Sequence, residues 1–153
     1  MTGDFLGKVW RRLPRRVLRA GVWLWEPRFA VTAGGVVEDE RGRVLLLKHN
    51  FRKGSGWGIP GGFLGKSESP EDALRRELRE EVGLEVESAR LVFARTHRRP
   101  QQVEIIFRCR ADSSALSASE SIEVVRAAWF ARGEFPEGLS ADQRRLIERA
   151  LSD

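Results

Sequence analysis

Apolar residues along the chain occur in short continuous runs and in segments with helical spacing. Five runs rich in β-branched and aliphatic residues predict strands, at positions 29–39, 42–49, 88–97, 101–111 and 124–131. The first two runs are separated by the charged turn EDERG and predict a hairpin. The glycine-rich segment 50–62, which follows this hairpin, predicts a loop.

The stretch 70–82 carries the strongest helical signals in the chain. Ser69 is a good N-cap, and Pro70 suits the first helical position because its missing N–H would be unpaired there anyway. Gly83 is placed to end the helix in a left-handed cap. These signals predict a helix that begins at Pro70 and ends just before Gly83.

A final helix is predicted over 140–152, where Ser140 and Gln143 have the spacing of a capping box. Strands interspersed with helices predict an α/β domain over residues 27–153. Of the 153 residues, 41% are hydrophobic and 32% are charged, a balance that favours one soluble, globular domain over a disordered chain.

Residues 1–26 differ from the rest and predict a basic amphipathic arm. Apolar residues recur there at helical spacing from Leu6 to Val17, with arginines mostly on the other faces. Pro14 is expected to kink this helix or to divide it. We interpret the arm as a helix packed on the domain or on a second subunit, which makes a homodimer plausible. The alternative is contact with an anionic membrane surface or with nucleic acid.

The positive charge of the chain is concentrated in the arm. The formal net charge is +5 and the pI is about 10.3. Residues 1–28 hold seven basic and two acidic residues, so the remainder is formally neutral. A high pI is therefore poor evidence that the domain itself binds nucleic acid.

Cysteine use and apolar run lengths bear on the compartment. Cys109 is the single cysteine, so no intramolecular disulfide can form, and a reducing, cytoplasmic setting is expected. No apolar stretch has the length of a membrane span. The short run AGVWLW at 20–25 lacks a small-residue cleavage site, which argues against secretion.

The predicted helix 70–82 concentrates its carboxylates beside its apolar side. At about 100° per residue, Glu77, Glu80 and Glu81 fall within an arc of about 100°. The adjacent stripe is apolar and consists of Leu74, Leu78 and Val82. Carboxylates gathered at a partly buried edge require a cation, and an all-oxygen ligand set suits Mg²⁺, with Mn²⁺ as the alternative.

These residues form a pattern that resembles the Nudix box. The pattern is Gly, five residues, Glu, seven residues, Arg-Glu-apolar, one residue, Glu-Glu, one residue, Gly-apolar. Every specified position is matched, by Gly62, Glu68, Arg76, Glu77, Leu78, Glu80, Glu81, Gly83 and Leu84. The resemblance extends loosely over about 30–150 and does not explain residues 1–26.

The resemblance implies a fold and an activity. The fold is an α/β/α sandwich with a mixed β-sheet. The activity is metal-dependent hydrolysis of the diphosphate linkage of a nucleoside diphosphate derivative, by attack of water on phosphorus. The implied metal ligands are Glu77, Glu80 and Glu81, and the backbone carbonyl of Gly61 is a further candidate.

The same resemblance assigns supporting roles around the reacting group. Arg76 matches the arginine that orients the glutamates, and Glu68 matches a supporting carboxylate. A glutamate is expected to remove the proton of the attacking water. Glu81 or Glu77 is the first choice for this base, and Glu123 is the second choice, as a base or an extra ligand.

Residues outside the box are candidates for substrate binding. Trp57 has two interpretations, stacking on a base and packing in the core. Four basic residues in loops are candidate phosphate contacts, namely Arg52, Lys53, Arg98 and Arg99. His97 is interpreted as a loop residue rather than an acid–base group.

ADP-ribose or a nucleotide sugar is the preferred substrate class, because Pro100 lies near the position where ADP-ribose-cleaving relatives often carry a proline. The chain has no tyrosine, which argues against dinucleoside polyphosphates. Two alternatives remain: a catalytically idle nucleotide sensor or regulator on the same fold, and an RNA-end or membrane-associated hydrolase that uses the basic arm.

Overall fold

The computed structural model describes residues 14–50, 56–116 and 123–152. Within these residues lie three α-helices: α1 (Arg15–Trp25), α2 (Pro70–Val82) and α3 (Ala141–Ser152). The strands are β1 (Ala30–Glu38), β2 (Val44–His49), β3 (Trp57–Gly58), β4 (Gly61–Phe63), β5 (Ser88–Arg98), β6 (Gln101–Arg110) and β7 (Val124–Phe130). A short 3₁₀ turn at Ser113–Ala115 follows β6.

The strands form one mixed sheet. β1 pairs in parallel with β6 along its whole length, from Ala30 opposite Gln102 to Glu38 opposite Arg110. β6 pairs antiparallel with β5, and β2 pairs antiparallel with β3 and β7. On its other edge, β1 pairs antiparallel with β4 and, at Glu38, with β2.

The sheet lies between two helices, as an α/β/α sandwich requires. Side chains alternate along β2, so Leu45 and Leu47 pack on the α2 side whereas Val44 and Leu46 pack on the α3 side. All four of these side chains are fully buried. Strands buried on both faces have the continuous apolar runs that marked 42–49 as a strand. The predicted fold class is confirmed.

Helix α2 begins and ends where the local signals placed it. The Ser69 hydroxyl accepts a hydrogen bond from the N–H of Asp72, and Gly83 adopts a left-handed conformation with φ of 65°. Leu74, Leu78 and the other predicted apolar positions are buried. A left-handed residue closes the last turn because its N–H reaches back to carbonyls inside the helix.

Two predictions about local structure need correction. Segment 50–62 was predicted as a loop, but it contains β3 and the start of β4, because its glycines allow close approach to neighbouring strands. The predicted hairpin of β1 and β2 pairs only at Glu38 and Val44. The two strands then separate, since β4 pairs with the remaining edge of β1.

The arm is helical from Arg15 to Trp25, directly after Pro14, and residues 1–13 lie outside the described part. The described side chains of α1 are exposed. Packing of the arm on the domain or on a second subunit stays a prediction. In the part of the chain that the structure describes, no helix has the length and apolar character needed to cross a bilayer.

Candidate active site

The turn before α2 is organised around the carboxylate of Glu68. One of its oxygens accepts the backbone N–H of Gly65 at 2.7 Å and the Arg76 guanidinium at 3.1 Å. The other oxygen accepts a second Arg76 hydrogen bond at 2.9 Å. The hydrogen bonds from Arg76, followed by that from Gly65, lower the pKa of Glu68. Glu68 is therefore ionised at neutral pH and anchors Arg76.

Arg76 joins Glu68 to the carboxylates of α2. Its guanidinium donates to Glu77 Oε1 at 2.8 Å and to Glu80 Oε2 at 3.2 Å. It also donates to the backbone carbonyl of Phe63 at 3.1 Å. The hydrogen bonds that Arg76 donates to Glu68 and then to Glu77 raise the pKa of Arg76, so its positive charge is permanent. These bonds fix the orientation of both glutamates.

Glu81 lies deeper than its neighbours on α2. The side chain of Glu80 is 61% exposed, that of Glu77 is 19% exposed and that of Glu81 is 9% exposed. Glu81 lies beside His49, with 3.8 Å between Oε1 and Nδ1. A carboxylate held at the edge of the core is costly unless a cation or hydrogen bonds compensate its charge.

Glu123 lies at the same end of the sheet as His49. It comes directly before β7, and its carbonyl accepts the N–H of Asn50 at 2.9 Å. The next residue, Val124, pairs with His49 in the sheet. The backbone therefore brings Glu123 toward the strand end where His49 approaches Glu81, although the two glutamates are 42 positions apart.

Gly62 leaves space for the carboxylate of Glu77, and Gly61 lets the backbone pass close to β1. A Cβ added at Gly62 would lie 2.2 Å from Glu77 Oε1, so any larger residue would displace this carboxylate. Gly61 has a φ of 143°, and a Cβ there would lie 2.2 Å from the carbonyl oxygen of Ala33. Glycine is required at both positions, because the backbone of 61–62 passes directly against β1 and α2.

The donor set has the chemistry of a hard-cation site. Glu77, Glu80 and Glu81 supply only oxygen ligands, and Arg76 engages a single oxygen of Glu77 and of Glu80. In the described ranges, no three His, Cys, Asp or Glu side chains converge into a complete ligand cage. Carboxylate oxygens suit an ion such as Mg²⁺, which completes its shell with water and substrate phosphates.

A cleft of about 200 Å³ opens beside Gly61 and Gly62, on the side of the sheet that packs against α3. Its polar lining is supplied by Thr32, Gln102, Glu104 and Gln143. Glu104 accepts a hydrogen bond from Arg95 at 2.5 Å, and His97 Nε2 lies 3.4 Å from the same oxygen. Among the described residues that line this cleft none is Lys or Arg, so this lining suits an uncharged polar group better than a phosphate.

Sequence reasoning missed this cleft, and it misassigned Gln143. The predicted capping box is half formed, because Ser140 Oγ accepts the N–H of Gln143 at 3.2 Å. The side-chain oxygen of Gln143 instead accepts the N–H of Ile59 at 3.1 Å. Eighty-four positions separate these two residues, and no local pattern reports such a contact.

The residues predicted to bind substrate are placed in different surroundings. The ring of Trp57 packs edge-on against Phe130, with 5.2 Å between centroids, which supports the packing interpretation. Arg98 and Arg99 are exposed at the turn between β5 and β6. Arg52 and Lys53 lie outside the described residues. His97, interpreted as a loop residue, belongs to β5 beside Glu104.

The family model for the NUDIX domain matches residues 28–150 of this chain. The chain therefore belongs to the Nudix hydrolase family. This agrees with the sandwich fold and with the Nudix-box residues gathered on and around α2.

Several known proteins are similar to this chain. A MutT-like protein of Streptomyces ambofaciens is 33% identical over 116 residues, which cover 74% of this chain and 71% of that protein. Human 8-oxo-dGDP phosphatase NUDT18 is 34% identical over 116 residues, covering 73% of this chain but only 36% of NUDT18. The chain thus spans about a third of that relative.

Solved structures give the same fold. A MutT NUDIX hydrolase from Burkholderia pseudomallei superposes with a TM-score of 0.70 at 28% identity, covering 80% of this chain and 98% of that one. The NUDIX domain of Shewanella oneidensis NrtR in complex with ADP-ribose has a TM-score of 0.69 at 21% identity, covering 87% and 96%. The second likeness concerns the fold alone.

Proposed function

We propose that this protein hydrolyses the diphosphate linkage of a nucleoside diphosphate derivative in a reaction that depends on Mg²⁺ or Mn²⁺. The observation that carries this proposal is the cluster in which Arg76 holds Glu68, Glu77 and Glu80 while Glu81 lies buried beside them. Arg76 pairs with three carboxylates in this cluster, and a divalent cation with its bound diphosphate would offset the excess negative charge.

Each residue of the cluster has a distinct part in the proposed reaction. Glu77, Glu80 and Glu81 hold the divalent cation, with the carbonyl of Gly61 as a further ligand. When bound, this cation neutralises the diphosphate and makes water more acidic. Arg76 and Glu68 keep the carboxylates in position and do not exchange protons, since the pKa of Arg76 is raised and that of Glu68 is lowered.

Proton removal from the attacking water is assigned to Glu81 first. Its carboxylate is the least exposed of the three on α2, and water exclusion strengthens its interaction with a nearby proton donor. Glu77 is the second choice on the helix. Glu123 is a further candidate from the loop before β7, where its backbone contacts Asn50.

The substrate is proposed to lie with its diphosphate beside Gly62 and Glu77, and with its uncharged part in the adjoining cleft. Glu104 repels phosphate but accepts hydrogen bonds from N–H or O–H groups. ADP-ribose or a nucleotide sugar remains the first substrate class. Pro100 adds modest support for this class, because the two-residue turn after β5 accounts for a proline by itself.

An oxidised guanine nucleotide is the second candidate substrate. Two relatives support it by name: human NUDT18, an 8-oxo-dGDP phosphatase, and an 8-oxo-dGTP diphosphatase of Proteus vulgaris, which is 36% identical over 72 residues. The cleft supports it as well, because the carboxylate of Glu104 and the amide of Gln102 match the donors and acceptors of a guanine edge.

Turnover of a nucleotide panel tests these proposals. The panel contains ADP-ribose, nucleotide sugars, 8-oxo-dGTP, dGTP and other nucleoside triphosphates, each with Mg²⁺, with Mn²⁺ and with a chelator. Hydrolysis that requires the ion supports the proposed reaction, and the preferred substrate decides between the two classes. Tight nucleotide binding without hydrolysis of any compound would instead identify a catalytically idle sensor.

A further inference from the structure

The arm presents an apolar surface and a basic surface that the hydrolase domain leaves uncovered. Leu24 is 77% exposed and Trp25 is 88% exposed, and both lie at the end of α1 nearest the domain. Val17, about two turns earlier, is half exposed, and Trp23 is 64% exposed. Single exposed apolar residues are ordinary, but four on one short helix require an explanation.

The two surfaces occupy different sectors of the helix. At about 100° per residue, Val17, Leu24 and Trp25 fall within one arc of about 100°. The basic residues Arg15, Arg16 and Arg19 fall within another arc of about 100°, separated from the first on both sides. Trp23 falls within the basic arc, so the charged side of α1 also carries one exposed aromatic residue, over whose ring the Arg28 guanidinium stacks.

The end of α1 is held to the first residues of the domain. The guanidinium of Arg28 stacks over the ring of Trp23 at 3.8 Å and donates to the carbonyl of Trp23 at 3.4 Å. Four residues separate Trp25 from the start of β1, and Thr32 of β1 lines the cleft. A surface bound by α1 would thus lie close to the active-site end of the domain.

We propose that α1 binds the surface of an anionic lipid bilayer, with Val17, Leu24 and Trp25 inserted at the interface and its arginines against the headgroups. An amphipathic helix of low overall hydrophobicity, with arginines on one side and Trp and Leu on the other, lies in the plane of a bilayer. Each arginine near an anionic surface adds to the affinity, and the binding weakens with salt.

The same observations weigh against two other binding partners of α1, namely RNA and a second copy of the chain. RNA would be attracted by the arginines and could stack its bases on Trp25, but it offers no apolar phase for Val17 and Leu24. A second copy of the chain would cover the apolar side, but pairing two arms would bring together two segments that each carry a formal charge of +4 over residues 1–26. An anionic bilayer matches both surfaces at once.

Co-sedimentation of the full chain with lipid vesicles tests the proposal. One set of vesicles is pure phosphatidylcholine, and the other contains roughly 30% phosphatidylglycerol, enough to produce a negative surface potential. The protein is expected to sediment with the anionic vesicles and to remain in solution with the neutral ones. Raising the salt concentration is expected to release it.

Two sets of variants separate the basic surface from the apolar one. Arg15→Glu, Arg16→Glu and Arg19→Glu together are expected to lower the affinity more than about tenfold. Leu24→Gln with Trp25→Gln, which leaves the net charge unchanged, is expected to lower it by a similar factor. Circular dichroism confirms that each variant is folded.

The matched control makes the same change of charge, three Arg→Glu substitutions, on the domain instead of the arm. Arg41, Arg90 and Arg145 are exposed on the turn after β1, on β5 and on α3. Changing all three to Glu is expected to alter vesicle affinity less than about threefold, because long-range attraction is screened beyond roughly 10 Å.

Several outcomes would overturn the proposal. Wild-type protein that stays in solution with anionic vesicles would do so, as would equal losses in the arm and control variants. Unchanged binding of the Leu24 and Trp25 variant would exclude insertion of the apolar side. Binding of a single-stranded RNA oligonucleotide, or self-association measured by light scattering, in the absence of vesicle binding would assign the arm to another partner.

Discussion

Two ion clusters lie at opposite ends of β1, and they differ in how their charge is balanced. The Arg76 cluster consists of one guanidinium and the carboxylates of Glu68, Glu77 and Glu80. The Glu38 cluster consists of one buried carboxylate that accepts hydrogen bonds from Arg108 and Arg132. The first has excess negative charge, whereas the second has a guanidinium for each oxygen of its carboxylate.

This difference separates a structural cluster from one suited to bind a cation. Glu38 is 4% exposed, and each of its oxygens has an arginine partner, so the cluster needs no further ion. In the Arg76 cluster, Glu80 is 61% exposed, and Glu81 is buried nearby with His49 at 3.8 Å. Three carboxylates share one guanidinium there, so of these two clusters it is the one with excess negative charge.

The largest expected effect belongs to Glu81. Glu81→Gln is expected to lower turnover of the preferred substrate by about 10²- to 10⁴-fold, because the amide neither removes a proton nor binds a cation strongly. Thermal unfolding is expected to show an intact fold, since the amide has nearly the same volume. The measurement is the initial hydrolysis rate with saturating Mg²⁺.

Glu85→Gln is the matched control for this substitution. Glu85 follows the same helix, is exposed and pairs with Arg79 at 2.5 Å. It is expected to retain turnover within about twofold, as an exposed ion pair contributes little. Turnover of the Glu81→Gln variant close to that of the control would remove Glu81 from the mechanism.

A smaller loss is expected when the space beside Glu77 is filled. In Gly62→Ala, the added Cβ would come within 2.2 Å of Glu77 Oε1 and displace the carboxylate. Because misplacement by about 1 Å can cost 10²-fold, turnover is expected to fall by about 10- to 100-fold. Gly21→Ala is the control, since a Cβ at Gly21 meets no atom within 4 Å. Equal activity in both variants would contradict the placement of Glu77.

The Glu38 cluster is expected to affect stability rather than turnover. Glu38→Gln leaves Arg108 and Arg132 without their charged partner, and it is expected to lower the free energy of unfolding by about 1–3 kcal/mol. Urea unfolding at pH 7 measures this loss. Turnover per folded molecule is expected to be unchanged, and a large fall in turnover would show that the two clusters are not separate.

The smallest expected effect is the pH dependence of the stability difference between wild type and Glu38→Gln. Burial acts to raise the pKa of Glu38, but hydrogen bonds from Arg108 and Arg132 outweigh it, so the pKa lies below its ordinary value of 4.5. Because the folded-state pKa is depressed, the stabilisation is complete above about pH 4.5 and is lost as the pH falls through the folded-state value. The stability gap between wild type and Glu38→Gln should therefore narrow as the pH is lowered from 7 toward 3. A constant gap would contradict this assignment.

Local rules predicted α2 and the arrangement of its glutamates well. Ser69, Pro70 and Gly83 set the ends of the helix through contacts within a few residues. The helical wheel then placed Arg76 beside Glu80 and the apolar positions in the core, as the structure confirms. Such features depend on backbone geometry alone, so one sequence is enough to predict them.

The same local rules do not predict contacts between segments that are far apart in the sequence. The parallel pairing of β1 with β6 and the hydrogen bond from Ile59 to Gln143 join residues about 70 to 84 positions apart. The cleft lined by Thr32, Glu104 and Gln143 exists only because of that pairing. No periodicity in the sequence indicates this pairing. For this reason the substrate class was harder to predict than the type of reaction.

Binding of Mn²⁺ to the free protein, followed by the electron paramagnetic resonance signal of unbound Mn²⁺, tests the central claim most directly. Wild-type protein is expected to bind the ion, Glu77→Gln to bind it at least about tenfold more weakly, and Glu38→Gln to bind it as wild type does. Equal affinity in wild type and Glu77→Gln, or an equal loss in Glu38→Gln, would contradict the assignment of the Arg76 cluster as the cation site.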